Sequence, residues 1–192
     1  MADERFARLV SIACHDIRTP LATVHGFART LARVELADPA PRYVEMIEEA
    51  STQVADLLDQ LVLVTRIAEG RYQPTLSEVD SLELARRAAA DVGEEPGAVS
   101  GEGAPVRVDE AAVQRAVGQL FRAARRHGGL DAIVVTVRGP VIELGPITKF
   151  SGPVISGESL KELGAPAAVI VVEALGGGVE IDGVLARIRL PE

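Results

Sequence analysis

Apolar residues recur every three or four positions along the first thirty residues, which is the spacing of one face of an α-helix. This first face is made by Phe6, Leu9 or Val10, Ala13, Ile17, Pro20 or Leu21, Val24, Phe27 and Leu31. A second face with the same spacing consists of Val44, Ile47, Ser51, Val54, Leu58, Leu61, Thr65 and Ala68. The segment Asp38-Pro39-Ala40-Pro41 separates the two faces, and proline interrupts a helix. The pattern therefore predicts two helices joined by a turn, the second ending at Gly70.

Two such helices form an antiparallel hairpin that cannot bury its apolar faces alone. Pairing two hairpins into a four-helix bundle would bury them. We therefore expect a homodimer through residues 5–69.

After about residue 72 the pattern changes to short β-like runs that alternate with helical stretches. The runs are 75–79, 106–108, 133–137, 179–181 and 186–190, and the helices are 82–92, 110–127 and one ending near Leu175. The glycine-rich segments 93–103 and 176–178 predict loops. This order predicts an α/β sandwich. The predicted fold class is α+β, with domain boundaries of 1–71 and 72–192.

Composition narrows the classes of function. The chain has 192 residues, 47% of them hydrophobic, and a net charge of −8, which disfavours nucleic acid as a partner. The charged start has no secretory signal, and no apolar run approaches the roughly 20 residues of a membrane span. We therefore expect a cytoplasmic protein without a membrane partner. The single cysteine, Cys14, excludes an internal disulfide and a multi-cysteine metal site, and no metal ligand set is expected.

The first helix also carries a candidate phosphoacceptor, His15. At about 100° per residue, its imidazole lies roughly 200° from Ala13 and Ile17, away from the apolar face. A neutral imidazole keeps a free lone pair on one of its ring nitrogens, so that nitrogen is a nucleophile. Asp16 can accept a hydrogen bond from the other nitrogen. Thr19 lies one turn later on the same outward side.

The segment Ser11-Ile12-Ala13-Cys14-His15-Asp16-Ile17-Arg18-Thr19-Pro20-Leu21 resembles the H-box of bacterial sensor histidine kinases. The resemblance implies a dimerising hairpin that is phosphorylated on its histidine and followed by an ATP-binding domain. It makes Asp16 the adjacent acid and places Thr19 where phosphatase-competent members orient water. It also implies a response-regulator receiver domain as partner, which would supply its own aspartate and Mg²⁺.

The second domain departs from the family where nucleotide should bind. The helix that normally carries two asparagines has Gln119 and Ala123 instead, and alanine has no oxygen to offer a metal. The Asp-x-Gly-x-Gly box is reduced to a segment with Glu143 and Gly145. The glycine-rich phosphate loop is reduced to a segment with Gly164 alone, followed by a proline. These five degenerate positions imply that the chain binds no cofactor of its own.

A phosphoacceptor hairpin with such a domain resembles the dimeric bacterial histidine phosphotransferases. The leading interpretation is a phosphohistidine relay to or from response-regulator aspartates, with a histidine kinase as a further partner, rather than an ATP-dependent kinase. Three alternatives stay open. They are an active cytosolic kinase with a divergent ATP site, a non-catalytic regulator that docks on a kinase or regulator, and a dedicated phosphatase.

Overall fold

The computed structural model describes residues 2–34, 37–93, 98–129, 132–159 and 161–191. The side chains of residues 2–9 and 11–13 lie outside the described part, and they include the predicted apolar positions Phe6, Leu9 and Ala13. The chain divides into two compact units, Met1–Tyr72 and Gln73–Glu192.

The first unit is a helical hairpin of α1 (Ala2–Leu31) and α2 (Ala40–Ala68). Helix α1 ends well before the proline segment, and the amides of residues 32–34 bond back to carbonyls of its last turn. Helix α2 ends as the sequence predicts. Gly70 follows it with φ +66°, and the amides of residues 70 and 71 bond to the carbonyls of Ile67 and Arg66.

The hairpin has two apolar faces where the sequence pattern suggested one. The first is buried within the hairpin and contains Cys14, Ala28, Val44 and Leu58. The second stays exposed in the single chain and contains Ile17, Val24, Phe27, Leu31, Ile47, Val54 and Leu57. The prediction of one apolar face per helix is therefore wrong, because only part of each wide apolar stripe packs between α1 and α2 and the rest stays exposed.

The second unit has seven strands and four helices in its described residues. The strands are β1 (Leu76–Asp80), β2 (Val99–Gly103), β3 (Pro105–Asp109), β4 (Val134–Gly139), β5 (Val141–Gly145), β6 (Gly178–Asp182) and β7 (Leu185–Arg189). The helices are α3 (Ser81–Asp91), α4 (Glu110–Gly128), α5 (Gly152–Ile155) and α6 (Gly164–Ala174). Strands β1 and β3 pair alone, and the other five form a sheet in the order β2-β4-β5-β7-β6.

Strand β2 contradicts the prediction of a loop over 93–103. It pairs in parallel with β4, and all other pairs in the sheet are antiparallel. Gly101, with φ +115°, makes this pairing close: a Cβ there would lie 2.1 Å from the carbonyl oxygen of Val137. Gly101 therefore serves strand pairing, not chain reversal. Residues 94–97 of the predicted loop lie outside the described part.

The core of the second unit lies on one face of the five-stranded sheet. The side chains on that face, all fully buried, are Val135, Val137, Ile142, Leu144, Ala186 and Ile188. Helix α3 contacts β2, β4 and β5, and α6 packs against α4 and β6. The helices bring further buried side chains, including Leu84, Val113, Val117, Leu120 and Phe121.

Candidate functional site

Helix α1 presents His15 to solvent. The His15 side chain is 78% exposed, although the residue before it, Cys14, is buried. Burial raises the pKa of the Cys14 thiol, and the nearby charge of Arg18 only partly opposes this. Cys14 is therefore a packing residue, and the reactive side chain that solvent reaches on this turn of α1 is His15.

Asp16 is placed to select the tautomer of His15. When the proton is on Nδ1, it is donated to Oδ1 of Asp16 at 3.3 Å. Nε2 then carries the free lone pair and faces solvent. The Asp16 side chain is 74% exposed, so the pair sits in water and is held only by its place on the helix. The arrangement allows a partner to approach Nε2 without displacing Asp16.

The next turn of α1 brings two polar side chains under His15. Thr19 is exposed on the same side of the helix, as predicted from spacing. Arg18 crosses to α2 and binds Asp59, with 2.5 Å between Nη2 and Oδ1. On its own, the sequence pattern does not indicate this ion pair, because 41 residues separate the partners. In an antiparallel hairpin, residues that face each other have residue numbers with a constant sum. Arg18 with Asp59 and Arg29 with Glu48 both sum to 77, so, given the hairpin, the spacing of opposite charges could have indicated both ion pairs.

Helix α4 opens at Asp109, whose side chain accepts a hydrogen bond from the amide of Ala112 at 3.2 Å. About three turns along, the half-buried Gln119 lies under the start of α6. A Cβ on Gly164 would come within 2.6 Å of the Gln119 Oε1. Ala123 is completely buried. At the two positions where the family has asparagines, Gln119 therefore packs against the start of α6, and Ala123 contributes a methyl group to the core.

The segment before α6 carries an acid where a phosphate loop would need bare amides. Glu162 binds Nε2 of His127 at 2.8 Å and lies 4.0 Å from Nη1 of Arg126. Pro166 removes an amide from the first turn of α6. Glu162 thus holds the segment before α6 to the end of α4, and its negative charge would repel a phosphate group there.

Glu143 lies on the opposite face of the sheet from the helices. It sits across from Arg187, which donates to it at 3.1 Å, and Arg138 lies 3.3 Å away. The hydrogen bond to Glu143 and the charge of Asp182 raise the pKa of Arg187. Side chains alternate along a strand, so on β5 the helix-facing residue is Leu144, and Glu143, the degenerate position of the sequence analysis, faces the other way.

Gly145, at the end of the same strand, packs on the turn between β6 and β7, where a Cβ would meet Leu185 at 2.7 Å. Of the five degenerate positions, Gln119 and Gly164 lie against each other, Ala123 is buried, and Glu143 is paired with arginine. Their residues do not fit a magnesium-bound nucleotide. Within the described ranges, no group of three or more His, Cys, Asp and Glu side chains is placed to hold a metal ion.

No helix in the part of the chain that the structure describes is long and apolar enough to cross a membrane.

Comparison with known proteins bears on both units. Residues 7–70 match the His Kinase A (phospho-acceptor) domain family. The sensor histidine kinase TrcS of Mycobacterium tuberculosis is 32% identical over 93 residues, covering 47% of this chain and 18% of TrcS. The signal transduction histidine-protein kinase/phosphatase MprB of Mycobacterium leprae is 36% identical over 152 residues, covering 70% of this chain and 28% of MprB. The chain therefore spans less than a third of either relative.

Two solved structures share the fold. Full-length ShkA in complex with AMPPNP superposes with a TM-score of 0.64 at 20% identity, covering 94% of this chain and 44% of ShkA. The histidine kinase AdeS of Acinetobacter baumannii superposes with a TM-score of 0.56 at 15% identity, covering 92% of this chain and 97% of AdeS. The domain match, the two relatives and the shared fold together make this chain a histidine kinase-like protein, in which a His Kinase A domain precedes an ATPase-like domain.

Proposed function

We propose that this chain is a histidine phosphotransferase of two-component signalling, which carries a phosphoryl group on His15 to or from the aspartates of response-regulator receiver domains. One observation carries the proposal: the start of α6 rests directly on Gln119 of α4, and the neighbouring Ala123 offers no oxygen. We infer from this that the chain keeps a phosphoacceptor but does not hold a nucleotide of its own.

The chemistry requires little from the chain beyond positioning. Nε2 of His15 attacks the phosphorus of an aspartyl phosphate, the bond from phosphorus to the carboxylate oxygen breaks, and a bond from phosphorus to nitrogen forms. The aspartate leaves as a carboxylate. The ring, still protonated on Nδ1, becomes positively charged, and Asp16 stabilises that charge. The receiver domain's own Mg²⁺ would neutralise the transferring group.

We also propose that the hairpin is a homodimer. Its second apolar face contains side chains that are strongly exposed in the single chain, among them Phe27 at 67% and Val24 at 48%. A continuous apolar stripe of this length along both helices is typical of a surface that another helix pair covers. The match to a phospho-acceptor domain family supports the same arrangement.

A second candidate function is dephosphorylation of the partner regulator. The exposed position of Thr19, one turn below His15, favours it. The relative MprB is itself described as a kinase/phosphatase. In this case Thr19→Ala would abolish loss of phosphate from the regulator, whereas His15→Ala would leave it largely intact.

The deciding experiment supplies the purified chain with labelled ATP alone, and in parallel with a receiver domain charged with labelled phosphate. We expect base-stable, acid-labile label on the chain only from the receiver domain. His15→Ala should abolish it without changing helix content, and Asp16→Asn should slow it. His25→Gln, a histidine replaced elsewhere on α1, is the matched control and should accept label normally.

Label appearing from ATP alone would identify an active kinase instead. Label that survives the loss of His15 would show that another residue is the acceptor. Absence of transfer from every receiver domain tested, with intact binding to them, would favour the non-catalytic regulator.

A further inference from the structure

We propose that Arg18 binds the phosphoryl group on His15, and that Asp59 of α2 competes with the phosphoryl group for it. The importance of this exchange rests on the proposed function, because that function makes His15 the phosphorylated residue. In the unphosphorylated chain Arg18 is held by Asp59, with 2.5 Å between Nη2 and Oδ1. Both side chains are about half exposed, at 44% and 50%, so the pair can open without unpacking the helices.

Arg18 is within reach of His15 by helix geometry. Residues three apart are neighbours on a helix surface, and a helical side chain leans toward the amino terminus. Once released from Asp59, the long side chain of Arg18 can extend back over the turn that carries His15. Asp16 lies on the Nδ1 side of the ring, 3.3 Å away, which leaves the Nε2 side for the phosphoryl group.

Charge favours the exchange once His15 is phosphorylated. Asp59 brings one negative charge, whereas a phosphoryl group brings nearly two and three acceptor oxygens. A guanidinium matches either partner with paired donors, but it cannot satisfy both fully at one time. Phosphorylation is thus expected to draw Arg18 away from α2. This would release one cross-helix ion pair at the level of the modified residue.

The chain also contains a matched control. Arg29 and Glu48 form a second ion pair between the same two helices, at 3.5 Å, and Arg29 lies about four turns along α1 from His15. Neutralising Glu48 removes a cross-helix ion pair without touching the environment of His15. Any effect common to Asp59→Asn and Glu48→Gln is therefore a general effect of loosening the hairpin.

The test phosphorylates the full chain chemically with phosphoramidate and follows the phosphohistidine signal by ³¹P NMR, with His15→Ala identifying the resonance. A bound cation favours the more highly charged phosphoryl form and lowers the pKa of the group. Freeing Arg18 by Asp59→Asn should lower that pKa by about 0.2–0.7 pH unit, the size expected of an exposed ion pair. Arg18→Gln should raise it, and Glu48→Gln should leave it unchanged.

The double variant decides the mechanism. With Arg18→Gln present, adding Asp59→Asn should change nothing further. A further fall in the pKa would mean that Asp59 acts directly on the phosphoryl group, which would overturn the proposal. An unchanged pKa in Asp59→Asn alone would also overturn it. Because phosphoramidate replaces the partner, the expected order of pKa values would support the inference even if no receiver domain transferred phosphate to His15.

Discussion

Replacing Val24 with serine should weaken the homodimer without unfolding the hairpin. Val24 lies on the exposed apolar face of α1, where 48% of its surface remains accessible in the single chain. Leu58 differs, because it is buried to 7% within the hairpin and its replacement should destabilise the hairpin itself. The sequence pattern places both residues on the apolar faces expected to pair in the dimer, and the structure separates them.

The expected magnitude follows from that exposure. Fully burying a valine side chain contributes about 1.5–3 kcal/mol, so burying the remaining half contributes about 0.7–1.4 kcal/mol. A symmetric dimer contains the residue twice, which gives about 1.4–2.8 kcal/mol. The dissociation constant of the dimer should therefore rise by about 10- to 100-fold.

Light scattering over a concentration series measures the dissociation constant, and circular dichroism checks that the helices remain. Val134→Ser is the matched control, since this valine is 61% exposed but lies on β4, outside the hairpin. It should leave the dissociation constant unchanged. A native protein that is monomeric at micromolar concentration, or a Val24→Ser variant that dimerises normally, would refute the reasoning.

Three further predictions concern nucleotide, stability and pH. Calorimetry with magnesium and a non-hydrolysable ATP analogue should detect no binding, and a micromolar dissociation constant would contradict the proposed function. Ser81→Ala should lower the free energy of unfolding by about 1–3 kcal/mol in urea titrations, because its buried hydroxyl donates to Gly139 at 2.6 Å and accepts from Ala104 at 3.0 Å. Unchanged stability would show that water replaces the hydroxyl. Because burial raises the pKa of Cys14, its alkylation should begin at higher pH than that of a free cysteine peptide; matching profiles would contradict this.

The sequence predicted the elements whose pattern is long and regular, and missed those that depend on distant partners. Both helices of the hairpin and the exposure of His15 follow from a repeat of three and four. Strand β2 has one valine and two glycines, so only its pairing with β4 makes it a strand. The orientation of Glu143 depends on the register of β5, where a shift of one residue reverses the face. The link from Arg18 to Asp59 arises only when the hairpin closes.

The position of β7 determines how the second unit can come apart. This strand lies between β5 and β6. In the described sheet β6 is an edge strand, and β7 is the strand with which it pairs. Its pairing with β5 joins residues more than forty positions apart, from Val141 to Arg189. If β7 separates from the sheet, β6 loses its pairing partner and the backbone groups of β5 that bond to β7 become exposed at the same time. Fraying from this end is costly, so amides of β5 and β7 should exchange with solvent only when the whole unit unfolds.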